Sequence, residues 1–345
     1  MGLNLKDLIV KKEITIQDLK GKVLAVDSFN LLYQFLTTIR GPDGSVLTDS
    51  QGRVTSHLIG LFSRTTVLME QGLKLVFVFD GKAPEIKKRT WEKRTAIKTE
   101  ASLKFKEAEE AGNIGEMRKF ASRTAILNHE MLQDAKTLLT ALGLPIVQAP
   151  SEGEAQTAYM AKKGDVYASV SQDYDNLIFS CPLLIRNLSL EGKRKRTGKL
   201  AFEKIKPEIL SLNEVLQHLQ INLDQLIVLA ILMGTDYDPG GIKGIGPKTA
   251  LKLVKEHPIN FAEIFQHVEW DKQYPDLSWT EIFETIKNIP VTDNYQLEWK
   301  PIQAAELRRL LIEGHNFNAE RVNSKIEKLE ALQKENAQKG LKSFF

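Results

Sequence analysis

The chain reads as an α/β protein with a mainly parallel central sheet and helices on both faces. Short β-branched apolar runs recur along its first half, helical stretches of a dozen residues or more separate them, and each run closes on acid. Connections that long imply crossovers and a parallel sheet. "KVLAVD" (22–27) ends in Asp27 and leads into "SFNLLYQFLTTI", which has the pattern of a helix. "LKLVFVFD" (73–80) closes on Asp80, "GLPIVQAPSEGE" (143–154) on Glu152 and Glu154, and "DVYASVSQDYD" (165–175) on Asp173 and Asp175. In a parallel sheet all carboxyl ends share one edge, the edge where open α/β proteins bind ligands. The acids are therefore expected to converge.

Each fragment alone also has a bland explanation. Ser151-x-x-Glu154 is a capping box, and acid in a first helical turn suits the helix dipole. A single aspartate after a strand is usually a turn residue. Four such ends on one edge are harder to dismiss, and Asp236 in "MGTDYD", after the apolar helix 226–233, adds a fifth. Together Asp27, Asp80, Glu152, Glu154, Asp173, Asp175 and Asp236 would repel one another strongly unless they share protons or hold cations. Oxygen donors without a His or Cys cluster suit Mg²⁺, with Mn²⁺ as a substitute. Two such ions about 4 Å apart serve phosphodiester hydrolysis by activating water and stabilising the attacking and leaving oxygens.

The whole-chain numbers are compatible with this. With 345 residues the chain can bury a large core. A net charge of +3 demands no polyanion, so any nucleic-acid argument rests on local clusters. One cysteine, Cys181, excludes an intrachain disulfide and fits a reducing compartment. "QLIVLAILMG" stops after ten residues and the start lacks a signal-peptide segment, so a soluble cytoplasmic protein with no membrane partner is expected.

Basic residues stand where a phosphate would sit. After Asp80 a charged, helical stretch follows, with Pro84 placed to open it, breaks expected at Gly112 and Gly115, and Lys87 and Arg94 two turns apart. A charge-rich helix is usually a solvated face, but this one starts beside an acidic strand end. In "GGIKGIGPKTALKLVKEH" (240–257), Gly244 and Gly246 make a tight turn, Pro247 opens a helix, and Lys248 and Thr249 occupy its first turn. Free N–H groups at such a start bind DNA phosphates without reading sequence. "EGKRKRTGK" (191–199) is a basic hairpin tip that either touches a backbone or is simply solvated. The last eight residues would offer Gln338, Leu341, Phe344 and Phe345 to a partner's pocket.

"VLAVDSFNLLYQFL", "VFVFDGKAPEIKKR", "APSEGEAQ", "SQDYDNLIF", "GTDYDPGGIKGIGPK" and the terminal Q-x-x-L-x-x-F-F together resemble, in family order and over essentially the whole chain, the flap endonuclease family of archaea and eukaryotes, with the archaeal type the closer fit. These are structure-specific 5′ nucleases with a PIN-like domain, a helical arch and a helix-hairpin-helix element. The resemblance implies that Asp27, Asp80, Glu152 and Glu154 serve one metal and Asp173, Asp175 and Asp236 the other. It implies catalytic roles for Lys87, Arg94, Glu152 and Asp175. Tyr33 would stack on the base beside the cut, while Gly2, Arg40, Arg64, Glu152, Gly234, Asp236 and the hairpin residues Gly244, Gly246, Lys248 and Thr249 would contact DNA, and Arg321 a one-nucleotide 3′ flap. It further implies K⁺ at the hairpin, branched DNA with a 5′ flap as substrate, a sliding clamp bound by 338–345, and a monomer. The corresponding division is an N-terminal nuclease region 1–105 with an arch at 84–130, an internal region 123–257 with the hairpin 240–257, a C-terminal part of the core 258–332, and a flexible tail 333–345. A phosphatase using Asp-x-Asp is disfavoured, since Asn176 and Leu177 follow the pair. A catalytically silent clamp-binding scaffold is the remaining alternative.

Overall fold

The structure is a computed structural model. It describes residues 3, 5–121, 124, 126–188, 192–195 and 202–342, with some side chains inside those ranges left aside. Its centre is a seven-stranded sheet. β1 (Lys12–Glu13) lies at one edge; β2 (Val23–Asp27), β3 (Lys74–Phe79), β4 (Ile146–Gln148) and β5 (Ala168–Val170) are the four acid-ending runs. Beyond them come β6 (Leu183–Arg186), a separate ribbon of β7 (Gly192–Lys195) and β8 (Phe202–Ile205), and β9 (Glu208–Ser211). The sheet order is β1-β9-β6-β5-β2-β3-β4. β4, β3, β2, β5 and β6 run parallel, whereas β9 and β1 pair antiparallel. The expected parallel sheet is therefore present, with an antiparallel edge the sequence reading did not foresee.

Alternation along the strands explains the two covered faces. Leu24, Val26, Leu75 and Phe77 point into one cluster with α1 (Ser28–Thr38), α2 (Ser56–Glu70) and residues Leu138 and Leu139. Ala25, Val76 and Val78 point to the other side, against Ala158 and Met160. In chain order there follow α3 (Lys88–Glu110), α4 (Ile114–Ala121), α5 (His129–Ala141), which carries Leu138 and Leu139, and α6 (Gly153–Lys163), which carries Ala158 and Met160. A third cluster gathers α7 (Leu212–Leu219), α8 (Leu223–Met233) and α9 (Pro247–Glu256) around Leu184 and Leu210.

Some local expectations shift. Pro84 precedes a 3₁₀ turn at Glu85–Lys87 rather than opening α3. Gly112, at φ +63°, sits in the turn between α3 and α4, but Gly115 lies inside α4 and breaks nothing. The last helix, Ala319–Lys342, runs into the expected tail, which is rich in good helix formers. Among the described residues no single helix is long and apolar enough to cross a membrane; one bent pair, Leu212–Leu219 with Leu223–Met233, passes by composition, but residues 225–232 are buried in the core.

Candidate active site

The acidic strand ends meet at one edge. Asp27 closes β2 and caps α1, its carboxylate accepting the Asn30 N–H at 3.1 Å. Asp80 follows β3 and accepts the Gly153 N–H at 2.9 Å, at the start of α6, where the helix dipole favours an anion. The capping-box explanation for the glutamate pair fails here. Glu152, not Ser151, occupies the N-cap of α6, and its own side chain makes no capping bond. Asp175 follows β5, opens a 3₁₀ turn and accepts the Leu3 N–H at 2.7 Å. Asp236 lies past α8 beyond Gly234, whose φ is +99°. A Cβ at Gly234 would meet the Gly241 nitrogen at 2.5 Å, so backbone packs on backbone and only glycine fits.

Mutual repulsion ties the seven into one cleft. Asp27 faces Asp80 and Asp173; Glu154 faces Asp175, Asp27 and Asp173; Asp80 faces Glu152 and Asp236; Asp175 faces Asp236 and Asp173. Burial, then the Asp80 charge, pushes Asp27 up to about 8. Burial, then Asp236, pushes Asp175 to about 7, and burial raises Asp80 to about 6. Glu154 moves upward for burial and for Asp175. Asp27, Glu152 and Asp175 are only 4%, 7% and 7% exposed, which surface turn residues would not be. Lys87 answers part of this charge, its ammonium lying 3.0 Å from Glu152 Oε1 and 3.1 Å from Asp236 Oδ2. Burial disfavours that cation, yet Glu152 and Asp236 outweigh it and raise the Lys87 pKa.

Such a donor set fits hard divalent cations, because every acid in it offers oxygen. Among the described residues no three of these groups already share one ligating point; their grouping rests on the strand ends, burial and pairwise repulsion. A consequence concerns pH. These carboxyls are protonated in both folded and unfolded protein below about pH 4, and folded pKa values raised to about 6, 7 and 8 mean that stability is lost as pH rises through that window. Chelator-treated protein should therefore melt at lower temperature at pH 8.5 than at pH 5.5. Asp27→Asn, which keeps the cap, should flatten that slope; an unaltered slope in melting curves would refute the assignment.

The remaining residues lie on several elements. Tyr33 is half-buried on α1 with the Lys98 ammonium 4.7 Å from its ring centre, and Arg64 is exposed on α2. Arg40, half-buried, donates to the Leu36 and Gly44 carbonyls at 2.9 and 3.0 Å. In the hairpin, Gly244 takes φ +87°, Gly246 is the N-cap of α9 with no side-chain cap, and Lys248 and Thr249 are exposed. Arg321 lines a cavity of about 460 Å³ with Thr48, Ser50, Phe62, His315 and Asn316. Gly2, Phe344 and Phe345 lie outside the described residues, as do the side chains of Arg94, Gln338 and Leu341.

Sequence reasoning missed several neutral partners of the acids. The Tyr237 hydroxyl donates to Glu152 Oε1 at 3.0 Å. Ser171 Oγ lies 3.4 Å from Asp27 Oδ2 and 3.3 Å from Glu154 Oε1. The Asn30 amide reaches Asp173 Oδ2 at 2.8 Å. Tyr237 stood in the quoted "GTDYD" and Ser171 in "SQDYDN", but nothing in spacing marks a neutral side chain as part of an acidic site.

Comparison with known proteins shows the family. The XPG N-terminal domain model matches residues 2–101 and the XPG I-region model residues 143–236. The flap endonuclease 1 of Pyrococcus horikoshii is 50% identical over 345 residues, covering 100% of this chain and 98% of its own. That of Staphylothermus marinus is 49% identical over 354 residues, covering all of both. The solved flap endonuclease-1 of Methanococcus jannaschii superposes with a TM-score of 0.74 at 42% identity, over 96% of this chain and 98% of that one. The catalytic core of Rad2, at 22% identity and a TM-score of 0.70, shares the fold. With identity at this level across the full length, the chain belongs to the flap endonuclease family.

Proposed function

We infer that the protein is a structure-specific 5′ flap endonuclease, with 5′–3′ exonuclease activity, that hydrolyses one phosphodiester near a single-strand/double-strand junction and leaves a 5′-phosphate. Its place is Okazaki fragment processing and DNA repair. The observation that carries this is a cleft of seven carboxylates at the sheet's carboxyl edge, three of them buried and four half-buried, with Lys87 of the following helical segment inserted among them.

Two Mg²⁺ ions, held by Asp27, Asp80, Glu152 and Glu154 on one side and Asp173, Asp175 and Asp236 on the other, would activate water and stabilise the attacking and leaving oxygens; Mn²⁺ would substitute. The protein's own groups do the positioning. Lys87, paired with Glu152 and Asp236, supplies a cation to the phosphate undergoing attack, joined by Arg94 from α3. The Leu3 N–H holds Asp175 in place. Segment 84–130, built from the 3₁₀ turn, α3 and α4, is the arch that encloses the single-stranded 5′ flap. Tyr33 stacks on the base beside the cut, Arg64 and the turn at Gly234 meet the backbone, and the Arg321 cavity takes a 3′ nucleotide. The exposed start of α9, with Gly244, Gly246, Lys248 and Thr249, grips downstream duplex phosphates, with K⁺ at the hairpin. Recognition through phosphates implies steep salt dependence and weak sequence preference.

A labelled 5′-flap duplex tests the reading: a single cut near the junction is expected with Mg²⁺ and none with chelator, and no cutting in either would leave the silent scaffold. The terminal peptide 338–345 is assigned to a sliding clamp. Deleting it should leave intrinsic cleavage intact and eliminate stimulation by the clamp in the same assay; undiminished stimulation would reject the assignment.

A further inference from the structure

We propose that Asn30 is a positioning residue of the carboxylate site, fixing Asp173 against Asp27 so that the two halves of the ligand set keep their spacing. This rests on the cation-binding reading above. Asn30 is the third residue of α1, and its backbone N–H is the donor that Asp27 Oδ1 accepts at 3.1 Å. Its side chain crosses to the loop after β5, where Nδ2 donates to Asp173 Oδ2 at 2.8 Å and Oδ1 accepts the Gln172 N–H at 3.2 Å. The amide has one workable orientation, because the carboxylate needs a donor and the N–H needs an acceptor. One side chain thus ties helix α1 to a loop 143 residues away in sequence.

Chemistry favours a neutral amide at this point. A lysine would add a competing cation, and an acid would add one more repelling charge. An amide donor orients Asp173 without altering the charge available to a bound ion. Ser171 reinforces the arrangement, its Oγ accepting the Asp173 N–H at 3.3 Å while lying 3.4 Å from Asp27 Oδ2. Without Asn30, like charge favours separation of Asp27 and Asp173, and the Ser171 contacts that remain are longer.

The test is Mn²⁺ binding to the full chain without DNA, followed by the electron paramagnetic resonance of free Mn²⁺. Saturable binding by the wild type, weakened by Asp175→Ala, first checks the cation reading itself; its absence there would defeat that reading rather than this one. Given that, Asn30→Ala should weaken Mn²⁺ binding about 10- to 100-fold, and its deficit in flap cleavage should shrink as Mg²⁺ is raised. Asn30→Gln, which keeps the amide at the wrong length, should fall between. In an Asp173→Ala background the same Asn30→Ala change should add nothing, since the two act through one contact. Wild-type Mn²⁺ affinity in Asn30→Ala, or an equal loss in both backgrounds, overturns the proposal. If Asn30→Ala melts below the assay temperature, Asn30→Ser is judged by the same two criteria.

Discussion

Asp175→Ala is expected to abolish flap cleavage, by on the order of 10³-fold or more, while leaving DNA binding largely intact. The carboxylate is 7% exposed, stands against Asp236 and Asp173, and is held by the Leu3 N–H, so removing it takes a donor from the centre of the set. Several kcal/mol of transition-state charge stabilisation depend on such a centre, and each 1.4 kcal/mol is about tenfold in rate. The phosphate contacts proposed for segment 84–130 and the hairpin lie on other elements and should survive. Single-turnover cleavage of a labelled flap, with binding measured in Ca²⁺, separates the two quantities. Equal turnover by the variant would remove the metal hypothesis.

The second large effect is expected at Lys87. Lys87→Ala should slow single-turnover cleavage by roughly 10²–10³-fold, the scale at which one preorganised donor to developing charge contributes. Mn²⁺ binding should be retained, because the change deletes a cation lying 3.0 Å from Glu152 and 3.1 Å from Asp236 rather than a ligand. A variant that cleaves normally would show that Lys87 only neutralises buried acid. One that loses both cleavage and Mn²⁺ binding would show that it holds the cleft together instead.

The central sheet was readable because its strands are buried on both faces. β2 and β3 present continuous apolar runs, and the long helical stretches between runs imposed parallel pairing. β1 and β9 left no comparable trace: they are short, partly exposed strands at the antiparallel end of the sheet whose pairing is set by contacts distant in sequence. Local spacing also misled at Ser151, where the capping-box pattern is present but the helix starts one residue later, and at Gly115, which the surrounding turns of α4 absorb.

For the site, composition and spacing determined the acids: strand ends rich in Asp and Glu must share an edge once the sheet is parallel, and carboxylates without His or Cys select hard ions. Lys87 and the hairpin start were legible on the same local grounds. The Asn30–Asp173 and Tyr237–Glu152 bonds were settled by folding alone. The physical reason is that a hydrogen-bond partner is chosen by proximity across the fold. Residues 143 and 85 apart meet only after the sheet has formed.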